Sequence, residues 1–516
     1  MGLQQSEIQE NENQTVQYRE FKGANLTDVR TGIEDGEWAW LENGMPVGKG
    51  NLKLVPGPGA TITNAALTGI FNIWGFTLNG VPVLIAIKSD GSVAQVNLNT
   101  NAVTVVAAAG SVTTSVRLTI WQSTTILFID PTKGYLSWDG ATFATIDAAR
   151  KGSAIATFEG RAWIVGVQPS RTITFTSPNT FNDFTGANGS GSVTISDSAF
   201  PGSITNLISA LEQLWIVGPG AVESITNVST QGTPLVTTFS LTNVVSNVGS
   251  IFPSSVSSFL RTIVFQTPYG VYAIIGATPQ KMSDKLDGLY PNLSLGSDEP
   301  AAVGTVHNVF IWCVLTTFVD PGSGIGSSGT AGNRSMLLCF SQGKWFFASA
   351  GSIIWVTSAI VNGSPEIWAT TGTGVFQMFA DSTNPVNYIL TTKLFDFGDS
   401  TQIKELNRVG LEITSPNIVQ PTLTIQNETA GNNSVPVVVG ANQINWTGLN
   451  GAPLIFTGLG GAPIVWVVSG LQLFRTGRFS QFGDYLGLTL SGTEAVWTLS
   501  AIALEIRPGG KWNAVT

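Results

Sequence analysis

The chain contains one histidine, His307, and this alone restricts the catalysis that its side chains can support. A Ser/His/Asp arrangement needs a histidine as the base that accepts the proton of the nucleophile. His307 stands just before the β-rich run at 309–312, where a histidine is typical of a strand-end hydrogen bond, and no G-x-S-x-G motif accompanies it. The sequence therefore predicts a structural role for His307 and no histidine-based metal site.

The sequence offers no other pattern for a cofactor or a metal. Cys313 and Cys339 are too few for a disulfide framework and their spacing matches no zinc pattern, so we expect two buried thiols on strands. No calcium loop of the D-x-[DN]-x-[DN]-G type occurs. The segment GMPVGKG at 44–50 is one residue short of a phosphate loop and lacks the Ser or Thr after its lysine, which predicts a turn. We expect no cofactor and no metal.

Paired carboxylates for glycoside hydrolysis can be chosen from the 33 acidic residues, for example Asp183 and Asp197. That chemistry requires two carboxyl groups at a defined separation, and nothing in the sequence brings any one pair together. The expectation is that the protein is not an enzyme.

Charge and composition exclude several broad classes of protein. Charged residues make up 11% of the 516 residues, too few to cover the solvent faces of several long helices. The formal net charge of −9 argues against a protein that grips nucleic acid, because phosphate binding relies on clustered Lys and Arg. A hydrophobic fraction of 43% with 15 tryptophans predicts a folded chain. No apolar run is long enough for a membrane span, and the polar opening indicates no secretory signal.

Between about 81 and 379 the sequence returns repeatedly to a short β-rich run, a turn and a second run. Asp90-Gly91, Asp139-Gly140 and Gln342-Gly343 provide turn chemistry near these runs. The distance along the chain between successive hairpins spans the spacing of four-stranded propeller blades. The prediction is therefore an all-β chain with a six- or seven-bladed β-propeller at 61–390. A pair of β-sandwiches stays open as an alternative, because the spacing is irregular and the stretch 320–333 is rich in glycine and serine. The seven predicted hairpins pair 82–87 with 92–96, 125–129 with 135–138, 161–165 with 171–175, 213–217 with 221–225, 262–266 with 270–274, 309–312 with 336–340, and 366–369 with 374–378.

The chain around this propeller divides into two further parts. Residues 1–60 are predicted to be an N-terminal arm and a lead-in strand, and 391–516 a C-terminal β-sandwich with longer alternating strands. Within the sandwich lies a tandem decapeptide, TGLNGAPLIF followed by TGLGGAPIVW, at 447–466. Such glycine-rich segments that end in apolar residues predict a flat hydrophobic hairpin, which is either an ordinary buried hairpin or an edge covered by another subunit.

Two segments are candidate assembly contacts. One is the polar, acidic arm, which we expect a neighbouring subunit to hold, so that deleting residues up to Gln17 should weaken assembly without unfolding the monomer. The other is the tandem hairpin with its apolar ends. The candidate residues are Ser6, Glu7, Glu10 and Glu12 in the arm, and Leu454, Ile455, Phe456, Ile464, Val465 and Trp466 in the hairpin.

Three groups of short segments together resemble the β-propeller tail tubular, nozzle or tail-hub proteins of short-tailed bacteriophages. The resemblance spans nearly the whole chain. The resemblance is carried by the order and spacing of these short β-turn segments along the chain. The tandem at 447–466 departs from the family pattern. The groups are EFKGANLTD at 20–28 with PGPG at 56–59; RAWIVG at 161–166 with TITFTSP at 172–178 and FNDF at 181–184; and LFDFGD at 394–399 with Lys404, GDYLGL at 483–488 and LEIRPGGKW at 504–512.

The resemblance implies a structural virion protein of the tail, made in the host cytoplasm. Several copies would form a ring, a hexamer, below the portal and adaptor rings and continue the DNA channel, with tail fibre or spike proteins as further partners. DNA would pass through without specific binding. A low-charge, mildly acidic wall suits that role, because it would not hold the phosphate backbone by counterion release.

The alternative from another class is a carbohydrate-binding or glycan-cleaving propeller that acts on the host surface. In that case exposed tryptophans such as Trp138 and Trp345 would stack on sugar rings. A passive conduit would neither bind nor cleave a glycan. The absence of a secretion signal argues against a bacterial adhesin.

Overall fold

The computed structural model of this chain is built from β-strands. It describes residues 13–48, 50–327, 329–416, 419–428, 432–437, 446–447, 453–454, 470–476 and 480–511. In this part of the chain there is no α-helix, and none of its helices is long and apolar enough to cross a membrane. The short helices are 3₁₀ turns at Ala65–Leu67, Pro253–Ser255, Asp284–Leu286 and Tyr290–Asn292.

Residues 62–377 form seven antiparallel sheets in chain order, here sheets I to VII. Sheets I to V and VII have four strands each, and sheet VI is one part of a ten-stranded sheet. Sheet I contains Ile70–Leu78, Val81–Lys88, Val93–Asn97 and Val103–Ala107; sheet II Arg117–Trp121, Thr125–Asp130, Gly134–Trp138 and Phe143–Asp147; sheet III Ala154–Phe158, Arg161–Val165, Thr172–Phe175 and Gly191–Thr194; sheet IV Asn206–Ala210, Gln213–Val217, Ala221–Gln231 and Val236–Ser246; sheet V Ser257–Phe259, Thr262–Thr267, Gly270–Ile275 and Thr278–Lys281; sheet VI Leu293–Ser294, Ala301–Val306, Val309–Pro321, Ala331–Ser341 and Lys344–Gly351; and sheet VII Trp355–Val361, Ser364–Thr370, Gly374–Gln377 and, from earlier in the chain, Ile62–Thr63.

All seven predicted hairpins are confirmed, each as two neighbouring strands inside one of these sheets. In sheets I to V and VII they are the second and third strands, most of which are buried on both faces and therefore carry the strongest apolar signal. The predicted turn glycines Gly91, Gly140 and Gly343 have φ of 77°, 101° and 78°, a left-handed conformation that glycine adopts without strain.

The sheets follow one another around an axis in a propeller-like ring. Separate hydrophobic clusters fill the spaces between sheets I and II, II and III, III and IV, and IV and V. The ring closes where the first strand of sheet VII packs on the first strand of sheet I, with Trp355 and Ala359 in one cluster with Ile73 and Leu84. Ile62–Thr63 then completes sheet VII as its outer strand, since Thr63 pairs with Gly374. The arrangement is propeller-like rather than a pair of sandwiches.

In six sheets the strand nearest the axis joins the next strand through a two-residue turn with positive φ at both residues. These turns match the right-handed twist of the strands, and Asn-Gly is the sequence that suits them best. Leu260 and Arg261 instead occupy the turn of sheet V with φ of 44° and 62°, and Leu260 is 63% exposed. The six turns are Asn79-Gly80, Glu159-Gly160, Leu211-Glu212, Leu260-Arg261, His307-Asn308 and Asn362-Gly363.

Replacing Leu260-Arg261 by Asn-Gly is expected to raise the free energy of unfolding by about 1 kcal/mol. Asn and Gly adopt the left-handed backbone conformation with less strain than Leu and Arg, and the exchange removes no buried contact. The urea midpoint measures this change. The reciprocal exchange, Asn362→Leu with Gly363→Arg in sheet VII, should lower stability by a similar amount. An unchanged midpoint in both proteins would contradict the assignment of strain to these turns.

The remaining strands form two larger sheets that share one core. The ten-stranded sheet continues from Lys344–Gly351 of sheet VI, and the other sheet has seven strands. Alternate residues of both sheets enter one hydrophobic cluster, for example Leu411 and Ile413 from one and Leu488 and Leu490 from the other. The added strands of the ten-stranded sheet are Trp38–Glu42, Val386–Thr392, Leu486–Glu494, Thr422–Asn427 and Asn432–Pro436; those of the seven-stranded sheet are Gly44–Val47, Asn51–Leu54, Thr498–Lys511, Gln402–Ser415, Gly470–Arg475, Gln14–Tyr18 and Gln481–Gly483.

N-terminal strands are paired with C-terminal strands in both larger sheets. Gln14–Tyr18 pairs antiparallel with Thr498–Lys511, and Trp38–Glu42 pairs with Val386–Thr392. The segment at 44–50, predicted as a turn, contains the strand Gly44–Val47, which pairs with Asn51–Leu54. That prediction was too narrow, because the alternating side chains of this hairpin bury Met45 and Leu52 in the shared core.

The segment at 20–28 lies against sheet VI. Gly23 passes so close to Trp345 that a Cβ there would meet the Trp345 backbone nitrogen at 2.6 Å. The Ala24 amide donates to the Trp345 carbonyl over 2.8 Å, and the Asn25 side chain donates to Glu37 over 2.7 Å. The close approach of the Trp345 backbone therefore requires glycine at position 23. The Asn25 side chain fixes the turn that follows, because it also accepts from the Thr27 amide.

Arg161, which begins another of the segments singled out above, joins two sheets. Its side chain belongs to sheet III and is 1% exposed. It donates to the Gly189 carbonyl over 2.9 Å and to the hydroxyls of Thr230 and Thr237 over 2.5 and 2.8 Å. The two threonines lie on the long hairpin of sheet IV, so this arginine holds that hairpin against sheet III.

Candidate functional site

The strands nearest the axis surround a cavity of about 490 Å³. Every sheet contributes to its wall, either from its strand nearest the axis or from the residues just before that strand. The lining contains Trp74 and Gly75 of sheet I, residues 117–120 of sheet II, 155–157 of sheet III, 206–209 of sheet IV, Pro253, Ser254 and Val256 next to sheet V, Ala301 of sheet VI, and Thr357 and Ser358 of sheet VII. We call this space the axial cavity.

An ion pair that includes Arg117 lies beside the axial cavity. Arg117, the first residue of sheet II, lies 3.0 Å from Asp298 and donates to the Ser254 hydroxyl over 2.7 Å. Ser254 in turn donates from its hydroxyl and its amide to Asp298, over 2.7 and 2.8 Å. The Asn206 side chain donates to the Pro253 carbonyl over 2.7 Å. These contacts fix the Pro253–Ser255 turn, of which Pro253 and Ser254 line the cavity.

Trp74 forms an aromatic part of the wall beside this pair. The Arg117 guanidinium lies 5.8 Å from the centre of the Trp74 ring, within the range of a cation–π contact. The Trp74 indole nitrogen is buried and has no hydrogen-bond partner. The wall therefore contains Trp74 and Arg117, and the charge of Arg117 is neutralised by Asp298.

Glu299 lies directly behind the charged pair and is 3% exposed. Burial raises the pKa of this carboxyl to about 7. The hydrogen bond from the Gly296 amide lowers the pKa, and the nearby Asp298 charge raises it by a smaller amount. The folded protein therefore keeps a proton on Glu299 at pH values where the unfolded chain has lost it.

The pH dependence of stability follows from this raised pKa. The pKa of Glu299 is higher in the folded than in the unfolded protein, so its contribution to stability is present below about pH 4.5 and is lost as pH rises toward 7. The free energy of unfolding should therefore fall by an amount on the order of 2 to 3 kcal/mol over this pH range. Glu299→Gln should remove this dependence and be more stable than the parent at pH 8. Urea titrations at pH 5 and pH 8 measure it, with the exposed Glu20→Gln as control. Parallel pH profiles for parent and Glu299→Gln would contradict this.

The residues considered for catalysis make contacts with nearby backbone groups. His307 occupies a strand-connecting turn, as predicted, and its Nε2 lies 2.8 Å from the Leu54 carbonyl, while burial lowers its pKa. Asp183 accepts from the Thr185 amide, and Asp197 from the Ala199 amide, both over 2.8 Å as in short turns. Among the described residues no group of three or more His, Cys, Asp or Glu is placed to hold a metal ion.

The two cysteines are buried, as predicted. Cys313 and Cys339 lie opposite each other on neighbouring strands of sheet VI, and both are free thiols. Burial is the main reason that the pKa of Cys339 is raised.

The two tryptophans that the carbohydrate alternative needs on the surface are buried. Trp138 is 5% exposed and donates to the Gln95 side chain over 2.7 Å. Trp345 is 1% exposed and donates to the Met282 carbonyl over 2.8 Å. Both indoles fill spaces between strands, because a buried Trp is stable where its N–H finds an acceptor.

Most of the candidate assembly contacts lie outside the described residues. These are Ser6, Glu7, Glu10, Glu12, Ile455, Phe456, Ile464, Val465 and Trp466. Leu454 belongs to Pro453–Leu454, which pairs antiparallel with Trp446–Thr447. The described part of the tandem segment is thus a short pairing around the first decapeptide.

Sequence reasoning missed the residues of the axial cavity. Trp74, Arg117, Ser254 and Asp298 come from separate parts of the chain and form no local motif. Aligning the seven sheets on the strand before each predicted hairpin would have indicated which residues face the axis.

Comparison with known proteins gives distant structural similarities only. No protein-family model and no curated protein matches the chain. The extracellular domain of a putative hybrid two-component system from B. thetaiotaomicron has 8% identity and a TM-score of 0.42, over 81% of this chain and 58% of that one. U3-55K has 11% identity and a TM-score of 0.36, over 62% and 97%. The N-terminal domain of Nup159 has 10% identity and a TM-score of 0.35, over 66% and 98%.

Proposed function

We propose that this chain is a structural protein of a short-tailed bacteriophage tail, of the nozzle or tail-hub kind. The observation that carries the proposal is the order of three groups of family-like segments along an acidic, low-charge, all-β chain. The protein acts in the virion tail, is made in the host cytoplasm, and has no catalytic role. Its function is to form part of the channel through which the genome leaves.

The proposed architecture has two units. Residues 61–390 form a seven-bladed β-propeller, one blade for each of sheets I to VII, closed by Ile62–Thr63. Residues 391–516 form a β-sandwich, with the tandem segment 447–466 as an insertion. Strands from the N-terminal 60 residues complete this sandwich, and their pairing with C-terminal strands supports the assignment.

In this proposal the DNA channel runs between copies of the chain and not along the axis of each propeller. The axial cavity has the volume of a small-molecule site. Arg117, paired with Asp298, also takes up part of its wall. Six copies would form a ring around a wider channel, below the portal and adaptor proteins and in contact with tail fibre or spike proteins. The net charge of −9 favours passage of the duplex without specific binding.

The arm and the tandem segment are the proposed contacts between neighbours in the ring. The arm supplies Ser6, Glu7, Glu10 and Glu12, and the tandem segment supplies apolar residues around Leu454 and Trp466. Repeated use of one such contact between copies generates a closed ring when the rotation closes.

Deleting residues 1–12 is expected to weaken ring assembly and leave the monomer folded. The cut stops short of Gln17, because Gln14–Tyr18 is a strand of the seven-stranded sheet and its loss would expose the paired strand. Sedimentation velocity over a concentration series measures assembly, and the melting temperature of the isolated monomer serves as the folding control. Assembly that is unaffected at every concentration would remove the arm from the proposal.

The second candidate, a carbohydrate-binding or glycan-cleaving propeller, loses the exposed tryptophans on which it relied. A glycan array and a polysaccharide digest test it. The proposed conduit should neither bind nor cleave a glycan.

A further inference from the structure

We infer that an apolar surface on one end of sheets IV to VII receives the tandem segment 447–466 of a neighbouring copy. This rests on the proposed function, because it supplies the partner surface for a contact that the ring of copies requires. The side chains of this surface lie at or beside the turns of the four sheets, and we call them the apolar crescent. They are Leu211, Leu260, Ile275, Phe310 and Ile360, which are 41% to 63% exposed.

Sheets IV and V place Leu211 and Leu260 at the same end of the molecule. Each leucine begins the two-residue turn that follows the first strand of its sheet. Ala210, which precedes Leu211, packs against a hydrophobic cluster that contains Ile263 of sheet V. Ile263 lies just after the turn that Leu260 begins. The two turns are therefore neighbours across the boundary between these sheets.

Sheet VI places Phe310 beside the turn of sheet V. Phe259 precedes Leu260, and the centre of its ring lies 6.5 Å from that of Phe340 in sheet VI. Ser341 follows Phe340 and donates from its hydroxyl to the Phe310 carbonyl over 2.9 Å. Phe310 is thus joined to the turn of sheet V through one aromatic contact and one hydrogen bond.

Sheet VII continues the row with Ile360. The Thr305 hydroxyl of sheet VI donates to the Pro365 carbonyl of sheet VII over 3.2 Å. Thr305 is paired with Phe310, and Pro365 is paired with Ile360. The crescent therefore extends over four consecutive sheets, with Ile275 at the end of the third strand of sheet V.

The crescent differs from the rest of this face. The corresponding turns of sheets I to III are polar, with Asn79-Gly80, Gln122-Ser123 and Glu159-Gly160. A single exposed apolar residue is common on a protein surface, but a row of them on adjoining sheets indicates contact with another protein. Leu211 and Leu260 also have φ of 57° and 44°, so each combines a strained backbone with an exposed apolar side chain. Such departures from local preference are typical of functional positions.

The charges at the crescent favour an uncharged occupant. Glu212 and Arg261 are the exposed charged residues of its turns, and they are of opposite sign. The crescent therefore offers no net positive charge that would hold the acidic arm. The segment 447–466 contains no charged residue, and its decapeptides end in Leu454-Ile455-Phe456 and Ile464-Val465-Trp466. Because the crescent is exposed in a single copy, its cover is expected from another copy.

The length of the tandem segment permits this contact. The structure describes Pro453–Leu454 and then Gly470–Arg475, which leaves the fifteen residues 455–469 between them. An extended chain spans about 3.3 Å per residue, so a segment that leaves and returns can reach roughly 25 Å. That reach is sufficient to bridge two copies that pack side by side. One such contact repeated between copies closes a ring.

Exchanging Leu260-Arg261 for Asn-Gly separates assembly from folding. The exchange is expected to stabilise the single copy, as argued above for this turn, and to weaken assembly about tenfold or more, because it removes the most exposed side chain of the crescent. Sedimentation velocity over a concentration series measures assembly, and the urea midpoint measures folding. Tyr269→Asn is the matched control. It removes an exposed aromatic side chain from the opposite end of sheet V and should leave assembly unchanged.

A photoreactive benzophenone amino acid in place of Leu260 identifies the occupant. Irradiation of the full chain is expected to give a covalent dimer, and mass spectrometry of its peptides should show position 260 linked to the segment 447–466 of the other copy. The same probe in place of Asn79, in a polar turn of sheet I, should give no such link.

Three results would overturn the inference while leaving the ring of copies in place. They are assembly that is unaffected by the Leu260-Arg261 exchange, a link from position 260 to 447–466 within one copy, and a link to a different segment such as the acidic arm. A parent chain that stays monomeric at every concentration would overturn both the inference and the proposed function.

Discussion

Replacing Arg334 by methionine is expected to lower the free energy of unfolding by about 3 to 5 kcal/mol, since it leaves two buried carboxylates without their cation. Arg334 Nη2 lies 3.0 Å from Glu42 Oε2, and Arg334 Nε lies 3.2 Å from Asp320 Oδ2. Glu42 and Asp320 are 3% and 2% exposed. Trp40 and Ser349 donate to Glu42 over 2.9 and 2.5 Å, so the carboxylate is held in place on all sides.

This network joins Trp38–Glu42 to the long hairpin of sheet VI, so its loss should loosen the N-terminal segment from the ring of sheets. Urea unfolding followed by tryptophan fluorescence measures the effect. Adding Glu42→Gln and Asp320→Asn to Arg334→Met should recover much of the loss, because no unpaired charge remains buried. Arg408→Met is the matched control: its guanidinium lies 3.9 Å from Glu505 and is 48% exposed, so a change under about 1 kcal/mol is expected. Equal effects at both arginines would contradict the account.

Gly75→Ala is expected to cost about 3 kcal/mol at the point where the ring closes. A Cβ on Gly75 would overlap the carbonyl oxygen of Ser358 and lie 3.1 Å from the Ala359 Cβ. Gly75 belongs to sheet I and Ser358 to sheet VII, so the methyl group would force the first and last sheets apart. Backbone cannot move aside as a flexible side chain can.

The shift in the urea midpoint measures the cost of the methyl group, and hydrogen exchange of the Trp355–Val361 amides shows where it acts. Gly186→Ala is the control, because a Cβ there meets no atom within 4 Å. Its stability should change by less than about 0.5 kcal/mol. If Gly75→Ala were equally mild, sheets I and VII would not be packed as described.

The sequence predicted the strands that are buried on both faces and missed those that are not. The run at 125–129 stands out because all six residues of Thr125–Asp130 are buried, whereas its neighbour Arg117–Trp121 alternates between the axial cavity and the core. The outer strand Phe143–Asp147 is half exposed and carries no apolar pattern. Periodicity therefore finds the middle of each sheet and leaves the edges undetermined.

Local sequence patterns could not predict the pairings between strands that are distant along the chain, for a different reason. Gln14–Tyr18 and Thr498–Lys511 are joined by hydrogen bonds between residues nearly 500 positions apart. Nothing in either segment specifies the partner, because register is set by the surrounding core. The axial cavity was missed for the same reason, since Trp74, Arg117 and Asp298 meet only once the ring has closed.

We propose that copies of this chain form a closed ring around a DNA-sized channel. The most direct measurement is the native mass of the purified full chain, together with its rotational symmetry by electron microscopy. The account predicts six copies around an axial opening wide enough for duplex DNA, roughly 20 Å or more. A discrete monomer at high concentration, or a closed assembly without an axial opening, would contradict it.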